Sequence, residues 1–376
     1  MRVGLVCVVA GLPWLLGACG SSAQVGSVPA NFEPWAVSFV SATRGFVLGT
    51  ERCDWNPYLA RCRVLIASTA DAGAVWQRLA APPVRLAPMS GIPGTVASIT
   101  FAGQRDGWLS GGGLWETHDG GHHWRRVRLP GVPLQAKLSN VVTGGGWAYT
   151  TLSTAHRVML LRSSIGSNYW QVVRGRLPYD ASQPPIEGGL AAAGSSVWLG
   201  VGVGGGDGTP PTYGLWQAQG SSPLTYRGNP CSLAGPRSEG ILGITASSPT
   251  DIVVSCGTKL ITSSDGGLRL EPIPDGGGAN STLASPLGRP DTILMAGPAN
   301  HGIPAPEIPY PSWIARTTDD GRTWAPTYYH DAYSGWSDLQ FVGPTIGWDI
   351  QGYPGAKVDE LMRTDDAGAT FTPVRF

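Results

Sequence analysis

One short pattern returns along most of this chain, and repetition at a fixed period constrains a fold more than composition does. It is a hydroxyl residue, a spacer, Asp, a spacer, Gly, two spacers and an aromatic. It reads Thr69, Asp71, Gly73, Trp76; then Thr117, Asp119, Gly121, Trp124; then Thr317, Asp319, Gly321, Trp324. A fourth copy, Thr364, Asp366, Gly368, ends in Phe371, and a fifth, Ser263, Asp265, Gly267, ends in Leu270. Ser163 and Trp170 mark a copy lacking Asp and Gly, and the region near Tyr226 has lost the pattern. The closing positions 76, 124, 170, 226, 270, 324 and 371 average about 49 residues apart, which predicts seven units.

The pattern has a physical reading. An Asp carboxylate accepts backbone N–H bonds across a tight turn, Gly takes a positive φ, and the aromatic packs behind the corner. Before each corner runs an alternating strand that opens in Gly and an apolar residue, as in Gly45-Phe46, Gly107-Trp108 and Gly347-Trp348. An inner strand precedes that one, in residues 36–40, 97–101 and 339–342. With the strands entering and leaving the corner, each unit has four, which is the make-up of a propeller blade. The expected fold is all-β: a single β-propeller over residues 36–376, with seven four-stranded blades, six or eight remaining open because two units are degenerate.

On these residues the chain resembles the Asp-box (BNR-repeat) β-propellers. Its blade pattern is similar to the single-propeller proteins related to the photosystem II assembly and stability factor. The resemblance implies that Asp71, Asp119, Asp265, Asp319 and Asp366 are structural. Sialidases and xyloglucan-active hydrolases also carry the box, so the motif speaks for architecture and not for activity.

Composition narrows the class. With 54 Gly and 32 Pro in 376 residues a helical bundle is disfavoured, while 15 Trp, 11 Tyr and 7 Phe supply a core. Lys plus Arg and Asp plus Glu are 26 each, which leaves no electrostatic footprint for nucleic acid. The first 18 residues read as an export signal: Met1 and Arg2 precede an apolar stretch too short to span a bilayer. That stretch ends in Leu16, Gly17, Ala18, Cys19, which resembles a bacterial lipobox. The resemblance implies a diacylglycerol on Cys19, a lipidated tether over residues 19–35 and a place outside the cytoplasmic membrane. The remaining cysteines, Cys53, Cys62, Cys231 and Cys256, allow three pairings. The sequence-local choice, Cys53 with Cys62 and Cys231 with Cys256, would contribute about 3 kcal/mol per bridge by loop entropy and suits an exported protein.

Function is placed by elimination on one rim. If the Asp corners share a rim, the connections between second and third strands emerge on the other. Three long insertions map there, over residues 51–63, 201–213 and 299–313. They carry the candidate contact residues Trp55, Tyr58, Arg61, Arg63, Tyr310 and Trp313. No catalytic, metal or cofactor residue is assigned. Glu51, Asp54, Asp207, Glu239, Glu307 and Asp338 could approach that face, but no spacing singles out a hydrolytic pair. The sialidase Arg-Ile-Pro segment is replaced by Ala42, Thr43, Arg44. His118, His122 and His123 occupy corner spacer positions and read as a solvated turn. The expectation is a non-enzymatic, exported, lipid-anchored monomer that binds a protein or glycan, with a sialidase-like or xyloglucanase-like hydrolase as the alternative.

Overall fold

The computed structural model describes residues 26–51, 62–87, 92–129, 137–155, 157–177, 186–203, 212–235, 240–257, 259–273, 282–297, 312–330, 335–352 and 359–376. Among them everything regular is β apart from one 3-10 turn, Pro230–Ala234. The lipobox with Cys19, the export signal, and Cys53, Trp55, Tyr58, Arg61 and Tyr310 lie outside the described residues.

Five blades stand as separate antiparallel sheets. Blade I, over residues 137–172, has five strands; blades II to V, over 186–228, 241–272, 282–330 and 336–374, have four each. Ten earlier strands form one continuous sheet: β1 (Gly26–Ser27), β2 (Phe32–Phe39), β3 (Gly45–Glu51), β4 (Cys62–Thr69), β5 (Gln77–Leu79), β6 (Arg85–Leu86), β7 (Thr95–Phe101), β8 (Gly107–Gly111), β9 (Leu114–Thr117) and β10 (Arg125–Arg126).

The expectation of seven equal four-stranded blades is therefore corrected to five separate blades and this one broad sheet. Within it, β2 to β5 and β7 to β10 each run antiparallel, as the repeat predicts. They are joined by β6, which pairs antiparallel with β4 at Cys62 and Arg63 and parallel with β7 at Thr95 and Val96. The cause is a mismatch of strand lengths. β4 has eight residues, but β5 covers it only from Ile66 to Ser68, so the far end of β4 offers unpaired backbone groups and the passing linker takes them. Corner motifs mark turns and carry no information about such an edge.

The Gly-aromatic openings have a packing cause. Gly45, Gly107 and Gly347 lie across from Phe39, Phe101 and Phe341 on the inner strands. A β-carbon on these glycines would stand 2.4, 2.5 and 2.6 Å from those rings. The rings fold flat over the glycine and reach the neighbouring unit. Phe101 stacks on Phe46 with centroids 3.5 Å apart, and Phe39 stacks on Trp348 of blade V at 3.6 Å. Such pairs add about 1 kcal/mol to the area they bury.

The second of these stacks joins the first sheet to the last blade and so closes the ring. Val37 N–H donates to Asp338 Oδ2 at 2.6 Å, and Phe39 N–H donates to Gln340 Oε1 at 3.1 Å. Among the described residues no strand is exchanged, and β1 pairs with β5 of its own sheet. Residues 32–34, within the expected tether, form the head of β2 against β3, and Phe32 touches the last blade through its ring, 4.6 Å from that of Phe376.

Candidate binding face opposite the Asp corners

At the first corner, Thr69 Oγ1 donates to Asp71 Oδ1 at 2.8 Å and accepts from Gly73 N–H at 2.9 Å, while Asp71 Oδ1 accepts from Val75 N–H at 2.9 Å. The same three bonds recur around Asp119, Asp265, Asp319 and Asp366. They favour the ionised carboxylate. The Val75 amide holds Asp71, and the Arg269 amide holds Asp265, below the usual carboxylate range. The Thr323 hydroxyl and amide bring Asp319 to about 2. Partial burial works against the shift at Asp119 and Asp366. It is outweighed at Asp119 by the His123 amide and ring, which bring the group to about 2, and at Asp366 by the Thr370 hydroxyl and amide.

The corners also fasten the units to one another. Gly73, Gly121, Gly321 and Gly368 have φ between 80° and 93°. A β-carbon there would meet Val374, Leu79, Ile273 and Leu294 of the preceding unit at 2.4, 3.0, 2.1 and 2.1 Å. The box tryptophans point the same way: Trp76 Nε1 donates to Arg375 O and Trp124 Nε1 to Ala80 O, both at 3.0 Å. A corner amide then donates to the hairpin joining the first two strands of its own unit. Ala72 N–H binds Thr43 O at 2.7 Å and Gly120 N–H binds Arg105 O at 2.9 Å, and each of blades I to V repeats the bond. The rim that carries the Asp corners is thus engaged in holding the ring. Ala42, Thr43 and Arg44 belong to this rim.

Antiparallel alternation puts the ends of the second and third strands on the other rim. Arg63 is exposed there at the start of β4. Trp313 is half-buried and packs against the cluster of Val253, Leu260, Ile273, Ile293 and Met295 between blades III and IV, so this ring supports the blades instead of standing free. The bridge Cys231–Cys256 ties the turn Pro230–Ala234, between blades II and III, to the second strand of blade III. Cys62 is also disulfide-bonded. Glu51 is exposed at the end of β3, whereas Asp54, Asp207, Glu239 and Glu307 lie outside the described residues.

Sequence reasoning missed two polar clusters. The first joins Asp338 to Asp349 in blade V. Asp338 sits at φ 67° in a bulge, and burial pushes its carboxyl up to about 6 against the opposing Val37 N–H. Asp349 has no exposed surface; burial pushes it well above the carboxylate range, the Ile350 N–H opposes, and Asp338 adds to the rise. Asp349 Oδ2 and Gln351 Nε2 are buried without a partner among the described residues, and Gln351 Oε1 accepts from Tyr328 OH at 3.0 Å. Asp338 was among the acids able to approach the face; Asp349 had no sequence signal, because only the blade stacking buries it. The second cluster lies on the corner rim. His118 Nδ1 meets Asp106 Oδ1 at 2.6 Å, and His118 Nε2 meets Asn168 Oδ1 of blade I at 2.8 Å. A spacer residue thus bridges two units. Among the described residues no three His, Cys, Asp or Glu side chains gather as a metal site would require.

The fold and its corners are consistent with an Asp-box-type β-propeller. No family model matches the chain, and no curated protein matches it in sequence. Solved structures do. YCF48 bound to a D1 peptide superposes with a TM-score of 0.55 at 16% identity, over 92% of this chain and 97% of that one. YCF48 from Cyanidioschyzon merolae gives 0.56 at 15%, over 92% and 99%. A puromycin-hydrolysing peptidase of Mycobacterium tuberculosis gives 0.58 at 12%, over 92% of this chain and 53% of the peptidase. At these identities the likeness is one of fold.

Proposed function

We propose that this chain is a non-enzymatic propeller that binds a protein partner through the rim opposite its Asp corners. The observation that carries the reading is the difference between the rims. One is fastened within each unit by its corner amides and between units by Trp76 and Trp124, while the other bears the long second-to-third connections. A rigid ring with elongated loops on one face is built for recognition. A YCF48 structure of similar fold holds a D1 peptide, which supports a protein over a glycan as partner. The buried Asp338 and Asp349 do not themselves form a hydrolytic pair. A glycosidase needs two carboxyl groups about 5 to 10 Å apart with the sugar between them, and the sealed Asp349 cannot touch a substrate.

The loop residues Trp55, Tyr58, Arg61, Arg63 and Tyr310 are the proposed contacts, with Cys19 as lipid anchor. The Cys231–Cys256 bridge supports export to an oxidising compartment. The test is crosslinking in cells followed by recovery of the propeller, comparing the parent with a Trp55→Ala, Tyr58→Ala, Tyr310→Ala variant. Loss of a crosslinked protein species supports the reading; identical species from both chains would remove the rim from it. Cys19→Ala should move the protein from the membrane fraction to the soluble one, and an unchanged distribution would remove the anchor.

A further inference from the structure

On the flank of blade I where it meets blade II, a groove of about 420 Å³ opens, reaching the same rim at Arg157 in the second-to-third connection. Its floor is apolar: Val158, Leu160 and Val173 of blade I and Leu224 of blade II are all buried. Arg157 and Arg176 line it and are exposed, and no carboxylate among the described residues pairs with either. The protein as a whole is neutral, with 26 basic and 26 acidic residues, so these two cations are not part of a general excess. Beside them runs the outer edge of the fourth strand, where the Arg174 C=O is taken by Leu224 N–H of blade II at 2.7 Å and Val172 stands before it. Val173 N–H donates to Leu160 O, so its neighbour Val172, opposite Leu161, turns its own N–H and C=O away from the sheet and is 54% exposed.

Apolar floor and unpaired arginines together suit one kind of occupant. We propose that this groove takes an extended, carboxylate-bearing peptide segment of a partner protein, its apolar side chains on the floor and its carboxylates at Arg157 and Arg176. Arginine binds carboxylates in a forked geometry that lysine does not match, and Val172 offers one outward N–H and C=O to an extended chain. The volume falls within the range of sites that enclose a few side chains. The proposal rests on the protein-binding reading and adds a second contact on the flank.

The test is fluorescence anisotropy on the full chain with a labelled eight-residue peptide of alternating Val and Glu, and the same peptide with Lys in place of Glu. The acidic peptide should bind, and bind more weakly as salt is raised; the lysine peptide should not. Arg157→Glu with Arg176→Glu should weaken binding by at least tenfold at unchanged melting temperature, and Val172→Glu, at an exposed position, should weaken it too. Equal binding of both peptides, no binding of the acidic one, or binding unaffected by these substitutions would overturn the groove. Trp55→Ala with Tyr58→Ala should leave the peptide affinity as it is; if it abolishes binding, the peptide sits on the insertion over residues 51–63, and the groove falls while the rim reading stands.

Discussion

Trp76 Nε1 donates to the carbonyl of Arg375 at 3.0 Å, across a sequence separation of 299 residues. The bond repeats a joint found between neighbours, where Trp124 reaches Ala80. The seam between first sheet and last blade thus repeats the joint between the first two units, with no exchanged strand among the described residues.

That seam should be separable by mutation. Trp76→Phe keeps most of the ring and removes the donor, so it should cost about 1 kcal/mol in urea denaturation. Trp76→Ala should cost about 3 to 5 kcal/mol by leaving a cavity against Phe376 and Val374. Truncation after Thr372 should make the Trp76→Phe change almost silent. If the two losses simply add, the bond does not hold the seam.

Corner glycines should be intolerant for two reasons that a comparison can split. Gly94 has φ 79° with nothing near its missing β-carbon, whereas Gly321 has φ 81° and would place one 2.1 Å from Ile273 Cγ2. Gly94→Ala should cost about 1 to 2 kcal/mol, the strain of the left-handed region. Gly321→Ala should cost a further 1 to 3 kcal/mol for overpacking the joint. Equal midpoints of unfolding would show that the joint yields.

Acid should loosen the corners. Asp319 is held at about 2 in the folded chain against 3.8 when free, so its contribution is complete above about pH 4 and is lost as the pH falls toward 2. Asp119 behaves alike. Asp319→Asn should lower the melting temperature at pH 7 and flatten its fall between pH 4 and 2. An unchanged acid limb would sink this linkage.

The inner pair has the opposite sign. Asp338 is raised to about 6 in the folded chain, so the folded state binds more protons than the unfolded one above pH 4, and stability falls as the pH rises through about 4 to 6. Asp338→Asn keeps an acceptor for Val37 N–H and tolerates φ 67°. It should raise the melting temperature at pH 8 and leave it nearly unchanged at pH 4. A lower melting temperature at pH 8 would mean that the charge itself is needed.

The bridge Cys231–Cys256 closes a separation of 25 residues. Cys231→Ser with Cys256→Ser should therefore cost about 3 to 4 kcal/mol in chemical denaturation. Indifference to both the substitution and a reductant would count against a stabilising role.

The chain alone determined the repeat, its hairpin corners and the all-β architecture, because a hydroxyl, an Asp and a Gly at fixed spacing satisfy a turn from within a few residues. It also offered Cys231 with Cys256 as the sequence-local choice among three pairings, which the structure shows, because proximity along the chain favours closing a short loop. Only the tertiary structure decided that β6 fuses the first strands into one sheet, that Trp313 is packed, that Asp349 is sealed beside Asp338, and that His118 reaches Asn168. Each of these depends on which surfaces meet between units some fifty residues apart, and local bonding rules say nothing about a neighbour that the chain brings in from the far side of the ring.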